Sequence, residues 1–216
     1  MKKQLRDLLA REHFDEIVEV AGRHRRVLSV LTSLTFDPEP LIAWRAVEAG
    51  GLVGARLAQD DSEFVRDHLR RLFWLLTDES GGIAWRAPEA IGEIIRGRPH
   101  DFSAFIPRLL ALLEMEPEDL VRFQAGTLWA IGRLAEVLPH AVEPAVPSIV
   151  SALKNPDSQV RGLAVWCLEK LRKAGLLLSE SARQVEDGPV DLYVEGHIIR
   201  TSVAELQRDL KESAKA

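Results

Sequence analysis

Cysteine is nearly absent. The 216 residues include one, Cys167, which excludes an intramolecular disulfide and argues against a thiolate zinc site. Positive charge is not in excess. The chain has 28 Lys and Arg against 33 Asp and Glu, a formal net charge of −5, which argues against a general nucleic-acid binder. Long apolar runs are missing, so no membrane span is expected. The opening MKKQLRDLLAREHFDE carries charge where a signal peptide would be apolar, and the expected compartment is cytoplasmic. What remains is the balance of a folded protein, 46% hydrophobic and 28% charged, long enough to bury a core without staples.

Chemical motifs are equally scarce. The six histidines are His13, His24, His68, His100, His140 and His197, and none is read as pairing with His, Asp or Glu at metal spacing. Gly50-Gly51 falls inside a helix, and Gly81-Gly82 lacks the Lys-Ser or Lys-Thr of a phosphate loop. There is no nucleophile elbow. Cys167 falls on an apolar stripe and reads as a buried, inert thiol. No metal or cofactor is expected.

Self-similarity is what the sequence does have. IAWRAVEAGG at 42–51 returns as IAWRAPEAIG at 83–92, offset by 41; FQAGTLWAIG follows at 123–132 and VRGLAVWCLE at 160–169. Each copy follows a second apolar segment, at 25–36, 64–77, 102–115 and 144–154. All these segments space apolar residues by three and four, the amphipathic helical period. Between them lie Asp37-Pro38, 78–82, Glu116-Pro117 and Asn155-Pro156-Asp157, turn and helix-start signals. The unit is helix, turn, helix, four times over: about 23–57, 64–97, 102–138 and 144–174.

This period and pattern resemble HEAT repeats, most closely over Val146–Leu171, with its Asn-Pro-Asp turn, Val160-Arg161 and Ala164. The resemblance implies an all-α fold, a right-handed α-α superhelix of four helical hairpins across residues 1–175. Ala43 and Ala84 stand where Arg161 falls, a departure from any uniform Asp–Arg ladder. One helix over 3–21 would be the N-terminal cap. Residues 176–216 form the C-terminal part. There, Val190–Val194 and His197–Thr201 flank Glu195-Gly196 as a β-hairpin, and Ser202 with Glu205 boxes the start of a last helix over 203–211. The hairpin is expected to cap the final repeat, and pairing with another chain stays open.

Helical wheels sort the second helices. Ile42, Ala46, Ala49 and Val53, with their counterparts Ile83, Ala87, Ala90 and Ile94, Phe123, Thr127, Ala130 and Leu134, and Val160, Ala164, Cys167 and Leu171, face the first helix of each pair. Gly51, Gly92 and Gly132 lie opposite, where a neighbouring repeat would press close. Trp44 and Trp85 are expected between repeats and Trp74 in the core. One arc is left for solvent. It holds Arg45 and Glu48, then Arg86, Glu89 and Glu93, then Trp129, Arg133 and Glu136, then Trp166 and Lys170.

In HEAT proteins second helices line the concave face. The resemblance therefore implies a non-catalytic scaffold that binds another protein there. Trp129 and Trp166 would be the anchors, with Arg133 and Lys170 beside them and Arg45, Glu48, Arg86, Glu89 and Glu93 setting orientation. Self-covering by the tail weighs equally for the two Trp. Two alternatives come from relatives on the same scaffold. Alkylpurine DNA glycosylases use a concave aromatic and acidic site, which Trp129, Trp166 and Glu136 could imitate. Bilin-lyase-like chaperones share the repeat alone. HEAT-like hydroxylases hold iron with His-Glu dyads, and this chain has no His-Glu dipeptide. The basic clusters at 23–26, 66–71 and 96–98 read as solvated faces.

Overall fold

The computed structural model describes residues 1–76, 86–114, 121–176 and 185–212, the side chains of 121, 122 and 210–212 excepted. The expected repeat residues Ile83, Ala84 and Trp85, the turns at 78–82 and Glu116-Pro117, and most of the polar stretch 179–188 lie outside them. The chain is mostly helical with one two-stranded sheet. It forms two compact units: Met1–Ala104 with Glu195–His197, and Phe105–Val194 with Ile198–Ala216.

The first unit holds α1 (Lys2–Ala10), α2 (Phe14–Arg23), α3 (Val27–Leu34), α4 (Pro40–Ala58), α5 (Ser62–Leu75), α6 (Ala87–Gly97) and the single turn α7 (Pro99–Phe102). The single helix expected over 3–21 is in fact two. The chain breaks at Glu12, whose φ of 62° is left-handed, a conformation costing a non-glycine residue about 1–2 kcal/mol. The turn closes on its own main chain, Glu12 N–H donating to Leu9 O at 3.1 Å and His13 N–H to Leu8 O at 3.0 Å, and Arg45 braces it. The Arg45 Nη1 donates to Ala10 O at 2.9 Å and to the same Leu9 O at 3.0 Å, and its Nη2 meets Glu12 Oε2 at 2.7 Å.

The α4 stripe is buried as its spacing requires. Ile42, Ala46, Ala49 and Val53 are closed off, as are Val27, Leu28, Leu31 and Leu34 on α3, which packs against α4. On the other side α4 meets α6 backbone to backbone. A Cβ on Gly51 would sit 2.7 Å from Glu93 O, and one on Gly97 would sit 2.8 Å from Gly51 O. Neither neighbour can yield, because both are helix main chain. Gly51→Ala should therefore cost about 1–3 kcal/mol of unfolding free energy. The nearby Gly50, with open space around its Cβ position, should instead tolerate alanine, with a small gain in helix propensity. Urea melts of the two variants compare them directly, and equal midpoints would remove the proposed contact.

Trp74 is not core: it is 61% exposed. The buried residues of α5 are Val65, His68, Leu69, Leu72 and Phe73. Trp74 stands nine positions after Val65, about 180° away on the wheel. An unbroken apolar run such as LFWLL necessarily wraps around a helix, and one member faces out.

The second unit holds α8 (Ile106–Leu110), α9 (Val121–Ala135), α10 (Pro139–Val142), α11 (Val146–Ala152), α12 (Ser158–Lys173), β1 (Pro189–Val194), β2 (His197–Ser202) and α13 (Val203–Glu212). The first-helix segments expected over 102–115 and 144–154 are broken. A 3-10 turn, Ser103–Phe105, precedes α8, and another, Glu143–Ala145, precedes α11. Pro107 and Pro147 lack the N–H that a continuous helix would use and clash with the carbonyl four residues back. Each therefore falls in the first turn of a new helix. The α9 and α12 stripes are buried as read, Phe123, Thr127, Ala130 and Leu134 on one and Val160, Ala164, Cys167 and Leu171 on the other. Burial pushes the Cys167 thiol well above its ordinary pKa, so it stays protonated and unreactive.

The C-terminal elements form where their signals lie. Glu195 and Gly196 both have positive φ, 46° and 78°, as a two-residue hairpin turn requires. The Ser202–Glu205 capping box is reciprocal, with Glu205 N–H donating to Ser202 Oγ and Ser202 N–H to Glu205 Oε2, each at 3.2 Å.

Candidate functional site

Trp129 and Trp166 are not exposed. They are 1% and 4% accessible, and this corrects the expected open aromatic patch. Two features of the second unit cover them. The Trp129 indole N–H donates to Tyr193 O at 2.9 Å, and its ring lies 6.3 Å from the Tyr193 ring, tilted by 56°. Trp166 closes onto Gly132, where an added Cβ would lie 2.3 Å from the indole. Their flanking cations remain. Arg133 sits 5.6 Å over the Trp129 ring and Lys170 sits 5.5 Å over the Trp166 ring. Both cations also reach Glu136, at 3.6 and 2.7 Å. The two indoles thus belong to one ladder on α9 and α12, roofed by charge. In this arrangement Glu136 is the counter-ion of both cations.

The roof over Trp129 is part of a larger contact. Strand β1 lies along α12 with its outer edge turned to the helix side chains. Ser158 Oγ donates to Pro189 O at 2.8 Å. The Gln159 amide takes both groups of Asp191, donating to its carbonyl and accepting from its N–H, each at 2.8 Å. Trp129 takes Tyr193 O. Main-chain groups at positions 189, 191 and 193 are thus satisfied in sequence, the two-residue period of an extended chain. Side chains complete the fit. Val190 fills a notch where a Cβ on Gly162 would come within 2.2 Å of it, and Leu192 and Tyr193 are buried.

Arg161 holds the approach to this strand. It is buried, and its guanidinium donates to the carbonyls of Asn155, Pro156, Glu186 and Asp187 at 2.8–3.1 Å. Ser158, Gln159 and Gly162 escape a wheel-based reading because each is small or polar and none stands out by type.

The charged candidates of the first unit are mostly inside. Arg45, Glu89 and Glu93 are buried, which corrects the solvent-facing assignment; Glu48 and Arg86 are half-buried. Arg45 Nε donates to Gly196 O at 2.9 Å, and Gly196 N–H donates to Glu48 Oε2 at 3.2 Å. These residues clamp the hairpin turn. Arg86 lies 4.1 Å over the Trp44 ring and reaches Glu89 at 3.4 Å; Arg96 reaches Glu93 at 3.7 Å. Two of the histidines do pair with a glutamate three residues on, at helix ends: His13 with Glu16 at 2.6 Å and His140 with Glu143 at 3.4 Å. Among the described residues no three His, Cys, Asp or Glu converge as metal ligands, and no helix is long and apolar enough to cross a membrane.

Two buried titratable groups of the first unit act in opposite directions. Burial pushes the Glu89 carboxyl up to about 7 against the pull of Arg86, and its Oε2 has no hydrogen-bond partner among the described residues. Burial, with the charge of Arg71, brings His68 down to about 4. Thr32 spends its hydroxyl proton on Leu28 O, so His68 Nε2 carries the ring proton and donates to Thr32 Oγ1 at 3.0 Å.

The raised Glu89 pKa gives stability that is complete below about 4.5 and lost as pH rises through about 7. The depressed His68 pKa gives stability that is complete above about 6.5 and lost as pH falls through about 4. Each is worth on the order of 3 kcal/mol, and their slopes cancel in between. Glu89→Gln should therefore gain stability relative to wild type as pH rises from 4.5 to 7. Urea unfolding across that range checks this, and parallel profiles for the two proteins would contradict it.

Comparison with known proteins reaches the same region. An uncharacterized protein of Archaeoglobus fulgidus is 28% identical over 189 residues, which cover 85% of this chain and 95% of that protein. Residues 121–171 match the family model of the HEAT-like repeat. That segment runs from the start of α9 to the last turn of α12 and contains Trp129, Gln159, Gly162 and Trp166, so the helices that hold β1 lie in the segment that is similar to a HEAT-like repeat.

Proposed function

We propose that the chain is a non-catalytic helical-repeat scaffold for protein binding, its four helix pairs each a HEAT-like repeat, and that the α9–α12 face of the second unit holds extended polypeptide. The observation that carries this reading is the way β1 is gripped. Ser158, Gln159 and Trp129 bond to main-chain groups at every second residue, and Gly162 leaves a notch for an aliphatic side chain. Main-chain recognition with pockets for alternate side chains is how extended peptides are held generally. The face therefore suits an aliphatic-x-aliphatic segment in extended conformation, of which Val190-Asp191-Leu192 is the example in place. Arg133, Lys170 and Glu136 at its border favour partners with charge beside that segment.

A synthetic peptide, GPVDLYV, tests this. The double variant Val190→Asp, Leu192→Asp should release the strand and leave the face open. This variant should bind the labelled peptide saturably, and adding Gly162→Leu should abolish binding. A folded double variant that ignores the peptide would reject the reading.

A further inference from the structure

Each strand of a two-stranded sheet has one edge bonded within the hairpin and one edge turned outward. The two-residue turn sets which groups lie on which edge. Val194 with His197, Leu192 with Ile199, and Val190 with Thr201 bond to each other. Tyr193, Asp191 and Pro189 on β1, and Ile198, Arg200 and Ser202 on β2, direct their main-chain groups outward. The β1 edge obeys this register, since its outward groups are the ones that Trp129, Gln159 and Ser158 take. On β2, Ser202 N–H turns out to Glu205. The outward N–H and C=O of Ile198 and Arg200 bond to nothing among the described residues. Ile199, between them, is 48% exposed, and the Arg200 side chain, which reaches Asp191, is 90% exposed.

We propose that this edge pairs with the same edge of a second copy of the chain, antiparallel, about a two-fold axis through Ile199. Self-complementarity selects the occupant. In this register Ile198 faces Arg200 of the second copy, and Arg200 faces its Ile198. All four outward groups on each copy are satisfied, giving four hydrogen bonds across the axis. Ile199 meets its own copy at the close, non-hydrogen-bonded position, where apolar pairs interact best. His197 falls opposite Thr201. No like charges oppose each other. A shift to the register centred on Arg200 would set Arg200 against Arg200, which is unfavourable. A single strand pair is a small interface, so the dimer is a weak, concentration-dependent one.

Sedimentation or light scattering of the full-length protein over about 1–300 μM tests the proposal. The mass should rise with concentration from 24.1 kDa toward twice that value. Arg200→Pro removes an outward N–H that the hairpin does not use, which strands tolerate at an edge, and Ile199→Lys places like charges on the axis. Either should weaken dimerisation at least about tenfold with unchanged far-UV circular dichroism and melting temperature. A wild type that stays at 24.1 kDa throughout, or a dimer that survives both substitutions, overturns it. Ile199→Lys keeps the test valid if the proline variant unfolds, because the side chain it replaces is about half exposed.

Discussion

Replacing Trp129 by alanine is expected to cost about 4 kcal/mol, the usual toll for removing a fully buried indole, which for a chain of this size lowers the melting temperature by roughly 10 °C. Two losses combine. The first is the volume beneath the Arg133 side chain and beside the Tyr193 ring. The second is the hydrogen bond to Tyr193 O. Trp129→Phe separates them: it keeps most of the ring, removes the N–H, and should cost about 1–2 kcal/mol. Denaturant unfolding monitored by circular dichroism gives both values. If the two substitutions cost the same, the hydrogen bond to the hairpin dominates. If the alanine variant loses less than 1 kcal/mol, Trp129 is not the buried contact described above.

Arg45→Met should cost about 3 kcal/mol by the same measurement. The methionine fills the side-chain volume but takes the guanidinium donor from the carbonyls of Leu9, Ala10 and Gly196, of which Leu9 O keeps the Glu12 N–H. Loss of one partner of a buried charged network runs to about 3–5 kcal/mol. The lower end applies because Glu12, at 37% side-chain exposure, can turn to water. The substitution also removes the brace on the break between α1 and α2. Glu12 loses its guanidinium partner while the main-chain bonds of the turn remain, so the amides of residues 10–14 should exchange faster than in wild type, more than those of α3 or α4. Arg45→Lys should rescue little, because one ammonium cannot reach acceptors spread around the edges of the guanidinium plane.

The sequence and the structure agree where the signal is local. The α4, α9 and α12 stripes, the hairpin turn at Glu195-Gly196, the Ser202–Glu205 box and the close approach at Gly51 and Gly132 all follow from spacing, propensity or the lack of a side chain. They diverge where a residue answers to a partner far along the chain. The helix expected over 3–21 breaks at Glu12, where Arg45 braces the turn, and no glycine or proline within 3–21 marks the break. Trp129 faces away from its own first helix as its wheel position requires, yet it is covered by Tyr193, 64 residues later. A wheel assigns a direction and cannot say what will arrive there. One signal was present and is easily missed. PHDFSAFIP at 99–107 and PHAVEPAVP at 139–147 share their first and last prolines and their histidine at an offset of 40, and both fold as a short helix, a 3-10 turn and a proline-started helix. The repeat thus extends into the first helices, and it carries the breaks that an apolar period alone does not show.

The edge-on hold of β1 by α9 and α12 is the centre of the account, and amide hydrogen exchange at Asp191 tests it most directly. Its N–H points away from β2 and should still exchange slowly, because Gln159 Oε1 accepts it. Gln159→Ala should speed that one amide at least about tenfold while leaving Val190 and Leu192, bonded within the hairpin, near their wild-type rates. Fast exchange at Asp191 in the wild-type protein, or an equal rate in both proteins, would mean that the strand is not held by its edge and that the proposed polypeptide-binding face does not exist.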